Sequence, residues 1–106
     1  MATQKYKLSI MPRAALDLEN VYAYIFYELE APAAAHSLMQ KIENSFMRLQ
    51  DWPKSCPMCQ DDILHQKGYR KLLVDNYIAL YTVDNTAKTV TIIRVVHGRQ
   101  EYAGFV

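Results

Sequence analysis

Short apolar runs alternate with turn residues in the last third of the chain, and this pattern constrains the fold most. Residues 69–74, 77–83 and 89–96 each have the length and the β-branched or aromatic content of a strand. Between the first two runs lie Asp75 and Asn76, whose residue types tolerate the positive φ of a two-residue hairpin turn. A longer turn separates the second run from the third. Three consecutive strands are therefore predicted at this end of the chain.

The first half of the chain predicts one short strand and two helices. Residues 6–10 alternate modestly, as a strand does. Pro12 and Pro32 each mark a helix start, because proline is tolerated at the first helical position. In the first helix a buried stripe is predicted at Leu18, Val21, Tyr22, Ile25 and Leu29. The opposite, wetter side is predicted to carry Asp17, Asn20, Tyr24 and Tyr27.

The second helix has an apolar stripe of near-ideal helical period. Its members are Ala35, Leu38, Met39, Ile42, Phe46 and Leu49. The helix is predicted to end by Asp51 or Trp52, because Pro53 disfavours helical geometry in the residue before it. The next residues, 53–67, show no period and are predicted to be a connector.

The predicted order of elements is β-α-α-β-β-β, which is an α+β fold. Two helices in an antiparallel hairpin would pack on one face of a small, mostly antiparallel, twisted sheet. The other face of the sheet would stay partly open. With 106 residues, the chain is long enough for one core, so residues 1–106 are predicted to form a single domain.

Positive charge is concentrated in the predicted sheet. Residues 65–99 carry six Lys and Arg against two Asp, although the whole chain has a net charge of only +1. This favours a local anionic partner over non-specific coating of DNA, while scattered solvated charges remain an equal alternative. Because no apolar run approaches the ~18 residues of a membrane span and no signal-peptide pattern is present, we predict a cytoplasmic protein without a membrane partner.

Cys56 and Cys59 are the only cysteines and form a CxxC pair in the connector. A zinc site would need two further ligands, and His65 is the one candidate nearby. A thioredoxin-like pair would need a preceding strand and a helix opening on the motif, whereas Pro57 interrupts this one. We therefore predict two thiols in a loop, with no metal and no cofactor. A redox-sensitive pair is the main alternative.

Several short pieces, in a fixed order along almost the whole chain, carry a resemblance to a known family. They are Pro12-Arg13-Ala14, Asp17-Leu18, Tyr22, Tyr24-Ile25, Ala34-Ala35, Lys41-Ile42, Tyr69-Arg70-Lys71-Leu72, Asn76-Tyr77, Leu80-Tyr81, Ile93-Arg94-Val95 and His97-Gly98-Arg99. As an ordered set they resemble the RelE/ParE superfamily of toxins from bacterial type II toxin–antitoxin pairs. The resemblance implies a cognate antitoxin as partner, in a hetero-oligomer.

This superfamily divides by target. One branch consists of ribosome-dependent endoribonucleases that cut mRNA, and the ParE-like branch is associated with inhibition of DNA gyrase. The ribonuclease branch usually has an arginine after the tyrosine that opens the third strand, where this chain has Ile78 after Tyr77. It also tends to place a second catalytic arginine near Arg99-Gln100. The ending of this chain, from Ile93 to Arg99, is more similar to the ParE-like branch.

If the protein cuts RNA, His97 is the natural acid or base, because it is the only group of the last block that titrates near neutral pH. The cations that would hold the phosphate are Arg70, Lys71, Arg94 and Arg99. Tyr102 would act as a weak acid or stack on a base. A second convincing acid or base is missing, which weakens this hypothesis.

Structural roles compete with these assignments. Strict alternation puts Arg94 on the face of Val96, and His97 on the other face with Val95. If the face of Arg94 meets the helices, an ion pair with Asp17 or Glu19 is favoured over a role in catalysis. Arg70 and Lys71 should point to opposite faces. The residues predicted to contact the antitoxin are Tyr24, Tyr27, Tyr102, Phe105 and Val106.

Three functions follow, in order of preference. The first is a ParE-like toxin that binds DNA gyrase without chemistry and is neutralised by its antitoxin. The alternative is a ribosome-dependent mRNA endoribonuclease, whose partners would be the ribosome and mRNA. The third is a toxin remnant that only binds antitoxin.

Overall fold

The computed structural model describes residues 5–99, in which helices pack on one face of a four-stranded sheet. The elements are β1 (Lys7–Ile10), α1 (Pro12–Ala23), a π-helix (Tyr24–Glu28), α2 (Pro32–Asp51), α3 (Asp62–Gln66), β2 (Arg70–Val74), β3 (Tyr77–Asp84) and β4 (Thr89–His97). The strand order is β1-β4-β3-β2; β1 runs parallel to β4, and the other pairs are antiparallel. The predicted α+β fold with a mostly antiparallel sheet is confirmed.

Helix α2 supplies much of the main core. Its predicted stripe is buried except for Met39, which is half-buried, and the helix ends at Asp51 as expected. Phe46 and Leu49 pack in one cluster with Tyr81 and Ile92 of the sheet. Burying each such side chain contributes roughly 1.5–3 kcal/mol, so this contact fixes α2 across the sheet.

The first helix departs from the predicted periodicity after Ala23. The N–H of Leu29 donates to the carbonyl oxygen of Tyr24, five residues earlier, at 3.0 Å. This wider turn rotates the following side chains, so Leu29 is 55% exposed and its predicted place in the buried stripe was wrong. Tyr24 and Tyr27 are exposed, as predicted.

A β-bulge in β4 overturns the alternation predicted for its last residues. The pairing with β3 skips Ile93, which leaves two residues of β4 opposite one of β3 at this point. Val95 therefore joins Ile92 in the main core, and Val96 packs on the opposite face of the sheet. The predicted alternation assumed an unbroken period of two and was wrong across the bulge, because Val96 lies on the face opposite Ile92. His97 shares the face of Val95 as predicted, since the pairing beyond the bulge is regular and His97 lies opposite Tyr77, which packs on the main core.

The connector between α2 and β2 contains structure that the sequence did not reveal. Asp61 caps α3 by accepting hydrogen bonds from the N–H groups of Ile63 and Leu64, at 3.0 and 3.1 Å. Leu64 and Cys59 cover part of the second sheet face, where they pack in a cluster with Ile78, Leu80 and Val96. The prediction of a connector without elements was wrong, whereas that face remains partly open.

Candidate functional site

His97 lies at the end of β4, where the neighbouring strand holds it in place. Its ring meets the ring of Tyr77 edge-on, with 5.3 Å between centroids. The N–H of Arg99 donates to Nδ1 of His97 at 3.1 Å, an arrangement that requires the neutral tautomer with the proton on Nε2. Just beyond, the N–H of Gly98 donates to the carbonyl oxygen of Asn76 at 2.7 Å. A Cβ at Gly98 would approach that oxygen to 3.2 Å, so glycine suits this close contact.

Arg94 is buried and paired with Asp17 of α1. Its Nε and Nη2 donate to the carboxylate at 2.7 and 3.1 Å, and the N–H of Val95 adds a third bond at 3.0 Å. Strand β1 pairs with β4 only as far as Ile92, so Asp17 takes the place of a strand partner beside Val95. The structural ion pair considered from sequence is present. The expectation that Asp17 lies on the wetter side of α1 was wrong, because this pair buries it.

A small cavity of about 260 Å³ lies beside this ion pair and contains His97 in its wall. Its other lining residues are Arg13, Asp17, Asn20, Val21, Tyr77, Arg94, Val95 and Val96. Arg13 is a cation that sequence reasoning did not include in the site. The signal was available in its four-residue spacing from Asp17, which places both side chains on one side of a helix; the two lie 3.8 Å apart.

Tyr77, also missed as a site residue, forms the wall of the cavity on the side of β3. Burial, with a smaller contribution from nearby Tyr24, raises the pKa of the Tyr77 hydroxyl. The hydroxyl therefore keeps its proton at neutral pH and can donate a hydrogen bond.

Arg70 and Lys71 are not part of this group. Arg70 Nη1 donates to the carbonyl oxygen of Cys56 at 2.7 Å and so fastens the connector to β2. Lys71 follows on the opposite face of the strand, at the level of Leu80 in β3 and Arg94 in β4. Its backbone lies two strand spacings across the sheet and three residues along β4 from the backbone of His97. These two displacements together correspond to a distance of roughly 14 Å. Of the predicted phosphate-binding cations, Arg94 and the exposed Arg99 therefore lie near His97, whereas Arg70 and Lys71 lie elsewhere on the sheet.

An apolar groove of about 370 Å³ lies on the other side of α1. It is lined by Leu8, Ile10, Leu18, Met39, Ile42, Glu43, Phe46 and Met47. Strand β1 forms an edge of the sheet here. Two residues predicted to contact the antitoxin, Tyr24 and Tyr27, are 51% and 69% exposed. The other three, Tyr102, Phe105 and Val106, lie outside the described residues, as does Tyr102 in its predicted catalytic role.

The two cysteines lie on different faces of the sheet. Cys56 packs against the main core, whereas Cys59 belongs to the cluster on the opposite face. Both are free thiols in this structure. Burial raises the pKa of the Cys59 thiol, and His65 Nδ1 lies 3.2 Å from the Cys59 carbonyl oxygen. No cluster of three metal-binding side chains occurs within residues 5–99.

Comparison with known proteins gives a family and two similar folds. The family model described as "ParE toxin of type II toxin-antitoxin system, parDE" matches residues 8–102. No individually curated protein matches the chain. None of the helices described is long and apolar enough to cross a membrane.

Among solved structures, one similar chain comes from the chromosomal ParDE toxin–antitoxin system of P. aeruginosa. It has a TM-score of 0.68 at 21% identity, over 90% of this chain and 98% of the other. A second comes from the toxin–antitoxin complex RelBE2 of Mycobacterium tuberculosis, with a TM-score of 0.62 at 21% identity, over 88% of this chain and 98% of that one. At this identity the two structures establish a shared fold.

Proposed function

The chain belongs to the ParE toxin family of type II toxin–antitoxin systems, and on this basis we propose that it inhibits DNA gyrase by binding, without cutting RNA. An antitoxin would hold it inactive in a hetero-oligomer. Gyrase is cytoplasmic, so the protein would act in the cytoplasm. The observation that supports this function best is the scattered arrangement of the cations predicted for catalysis.

Cleavage of RNA through its 2′-hydroxyl needs an acid, a base and cations around one phosphate. Among residues 5–99, His97 is the only acid or base of the predicted set, and Lys71 lies roughly 14 Å from it. Arg70 is hydrogen-bonded to the connector and Arg94 is neutralised by Asp17, so that of the predicted cations the exposed Arg99, two residues beyond His97, is left to hold a phosphate there. Such an arrangement suits binding better than phosphoryl transfer.

The apolar groove supports an antitoxin partner. Met47 and Ile10 are 51% and 39% exposed, and they leave apolar surface of the groove in contact with water. An amphipathic segment of the antitoxin would bury this surface by folding onto it. Both solved structures similar to this chain come from toxin–antitoxin systems. Tyr24 and Tyr27, exposed on the same helical hairpin, extend the proposed contact.

One observation favours the ribonuclease alternative. His97, Arg13 and Tyr77 line one cavity, so residues able to supply an acid, a cation and a weak acid are gathered there. That set still lacks a base to activate the 2′-hydroxyl. The acceptor nitrogen of His97, Nδ1, already accepts a hydrogen bond from the N–H of Arg99.

The experiment combines growth with mRNA mapping. Wild-type protein and His97→Ala are each expressed from a tightly repressed promoter, and reporter mRNA is examined by primer extension in a purified translation system. We expect both proteins to inhibit growth and both to leave the mRNA intact. Codon-phased, ribosome-dependent cuts that disappear in His97→Ala would overturn the proposal. No growth inhibition by folded wild-type protein would instead indicate a remnant that only binds antitoxin.

A further inference from the structure

The cavity beside His97 holds one more positive charge than its own carboxylate neutralises. Asp17 accepts three hydrogen bonds, two from Arg94 and one from the N–H of Val95. Arg13 Nε stays 3.8 Å from it, beyond hydrogen-bond distance, and its side chain is 62% exposed. Asp17 is the only acidic residue of the lining, which contains two arginines. Its two arginines and one carboxylate give the lining a formal charge of +1.

We propose that this cavity is an anion-binding pocket, in which Arg13 takes the carboxylate of an acidic side chain on the toxin's protein target. This inference rests on the proposed function, because it names the chemistry by which that target is held. Arginine binds a carboxylate through two parallel hydrogen bonds. Asp17 and Arg94 are buried in the wall of this cavity and neutralise each other. The positive charge of the lining that faces solvent is therefore that of Arg13.

Neighbouring side chains supply further donors for the same carboxylate. Asn20 lies on α1, nearly two helical turns beyond Arg13, and is one of the lining residues, whose amide is a hydrogen-bond donor. The Tyr77 hydroxyl is protonated at neutral pH for the reason given above. Tyr24, half exposed next to Tyr77, offers an aromatic contact at the rim. Arginine and tyrosine together are typical of the residues that dominate binding energy at protein interfaces.

The charge pattern favours a protein carboxylate over a nucleic-acid strand. A strand carries one phosphate per nucleotide and requires a track of cations along the surface. Arg99 is exposed beside His97, but within residues 5–99 the predicted cations do not continue into a track, because Arg70 is hydrogen-bonded to the connector and Lys71 lies roughly 14 Å from His97 on the sheet. A single net positive charge in about 260 Å³ matches one carboxylate side chain.

The test compares Arg13→Gln and Arg13→Glu with wild type, with Lys41→Gln as the matched control. Lys41 is a cation of similar exposure on α2, 57% exposed, and it does not line this cavity. Each purified protein is assayed for inhibition of gyrase supercoiling, for binding to the antitoxin and for thermal stability. We expect Arg13→Gln to raise the concentration for half-inhibition about 10- to 100-fold, and Arg13→Glu to abolish inhibition. Antitoxin affinity should stay within error of wild type, and the melting temperature of Arg13→Gln should fall no further than that of Lys41→Gln, which also loses an exposed ion pair.

The possible outcomes separate this inference from the proposed function. If wild-type protein does not inhibit gyrase, the proposed function fails. If wild type and Arg13→Glu inhibit equally, the pocket inference fails and the proposed function stands. Loss of antitoxin binding by Arg13→Gln would assign the pocket to the antitoxin and overturn the inference. A last outcome is that Arg13→Gln binds gyrase more weakly than wild type when DNA is present but equally well when DNA is left out. That result would identify a phosphate of the DNA as the ligand and would overturn the inference as well.

Discussion

Removal of the Asp17 carboxylate should destabilise the protein more than any other single change at a charged residue. Asp17→Ala leaves the Arg94 side chain, 10% exposed, without its carboxylate. It also leaves the N–H of Val95 without its acceptor. Breaking a buried ion pair from one side costs about 3–5 kcal/mol. For a domain of this size the melting temperature should fall by roughly 12–20 °C.

The assay is urea denaturation followed by far-UV circular dichroism, since Trp52 is 69% exposed and would report poorly by fluorescence. The control is Lys41→Ala, which breaks an exposed ion pair of 3.2 Å to Asp75. Exposed pairs contribute at most about 1 kcal/mol, so the control should lie close to wild type.

A double variant separates the ion pair from simple packing. Asp17→Leu combined with Arg94→Leu removes both charges, and leaves only the unsatisfied N–H of Val95, which costs about 1–3 kcal/mol. We expect the double variant to be more stable than Asp17→Ala. Two results would refute the claim that the buried ion pair holds α1 against β4. One is a decrease in the free energy of unfolding below about 1 kcal/mol for Asp17→Ala. The other is a double variant whose decrease equals the sum of the decreases in the two single variants.

Three further predictions concern titration, thiol reactivity and the antitoxin. Burial raises the pKa of the Cys59 and Tyr81 side chains above their ordinary values of 9.0 and 10.0, so the unfolded state loses these protons first. The free energy of unfolding should therefore fall as pH rises above about 9, and above about 10 it should fall less steeply in Tyr81→Phe than in wild type. An unchanged slope in urea titrations of that variant would contradict this. Iodoacetamide should alkylate Cys56 before the fully buried Cys59, as read by mass spectrometry, and equal rates in folded protein would contradict the described connector. Met47→Glu should weaken antitoxin binding at least about tenfold in titration calorimetry without changing the melting temperature, whereas the control Gln40→Glu should not; equal affinities would remove the groove as the antitoxin site.

Periodicity predicted the elements well wherever one physical rule decided the outcome. Helix α2 alternates apolar and polar residues at a constant period, and both its core side and its end at Asp51 agree with the structure. The turn at Asp75, with φ of 52°, follows from residues that tolerate positive φ. The burial of one helical stripe and the steric preferences of the backbone depend on residues close together in the chain. They can therefore be predicted from a single sequence.

The errors arise where the backbone departs from a constant period. One π-turn at Tyr24 displaces Leu29, and one bulge at Ile93 changes which face Val96 occupies. Neither has a distinctive residue pattern, because each is set by contacts formed only in the folded chain. The same limit applies to the site: the pairing of Asp17 with Arg94, 77 residues apart, leaves Arg13 as the looser cation.

The most direct test of the proposed function is a supercoiling assay with purified gyrase, relaxed plasmid and ATP, in which this protein is titrated alone and after pre-incubation with its antitoxin. We predict inhibition that depends on toxin concentration, is retained by His97→Ala and is reversed by antitoxin. Full gyrase activity at saturating, folded toxin, together with ribosome-dependent cleavage of mRNA that requires His97, would contradict the account.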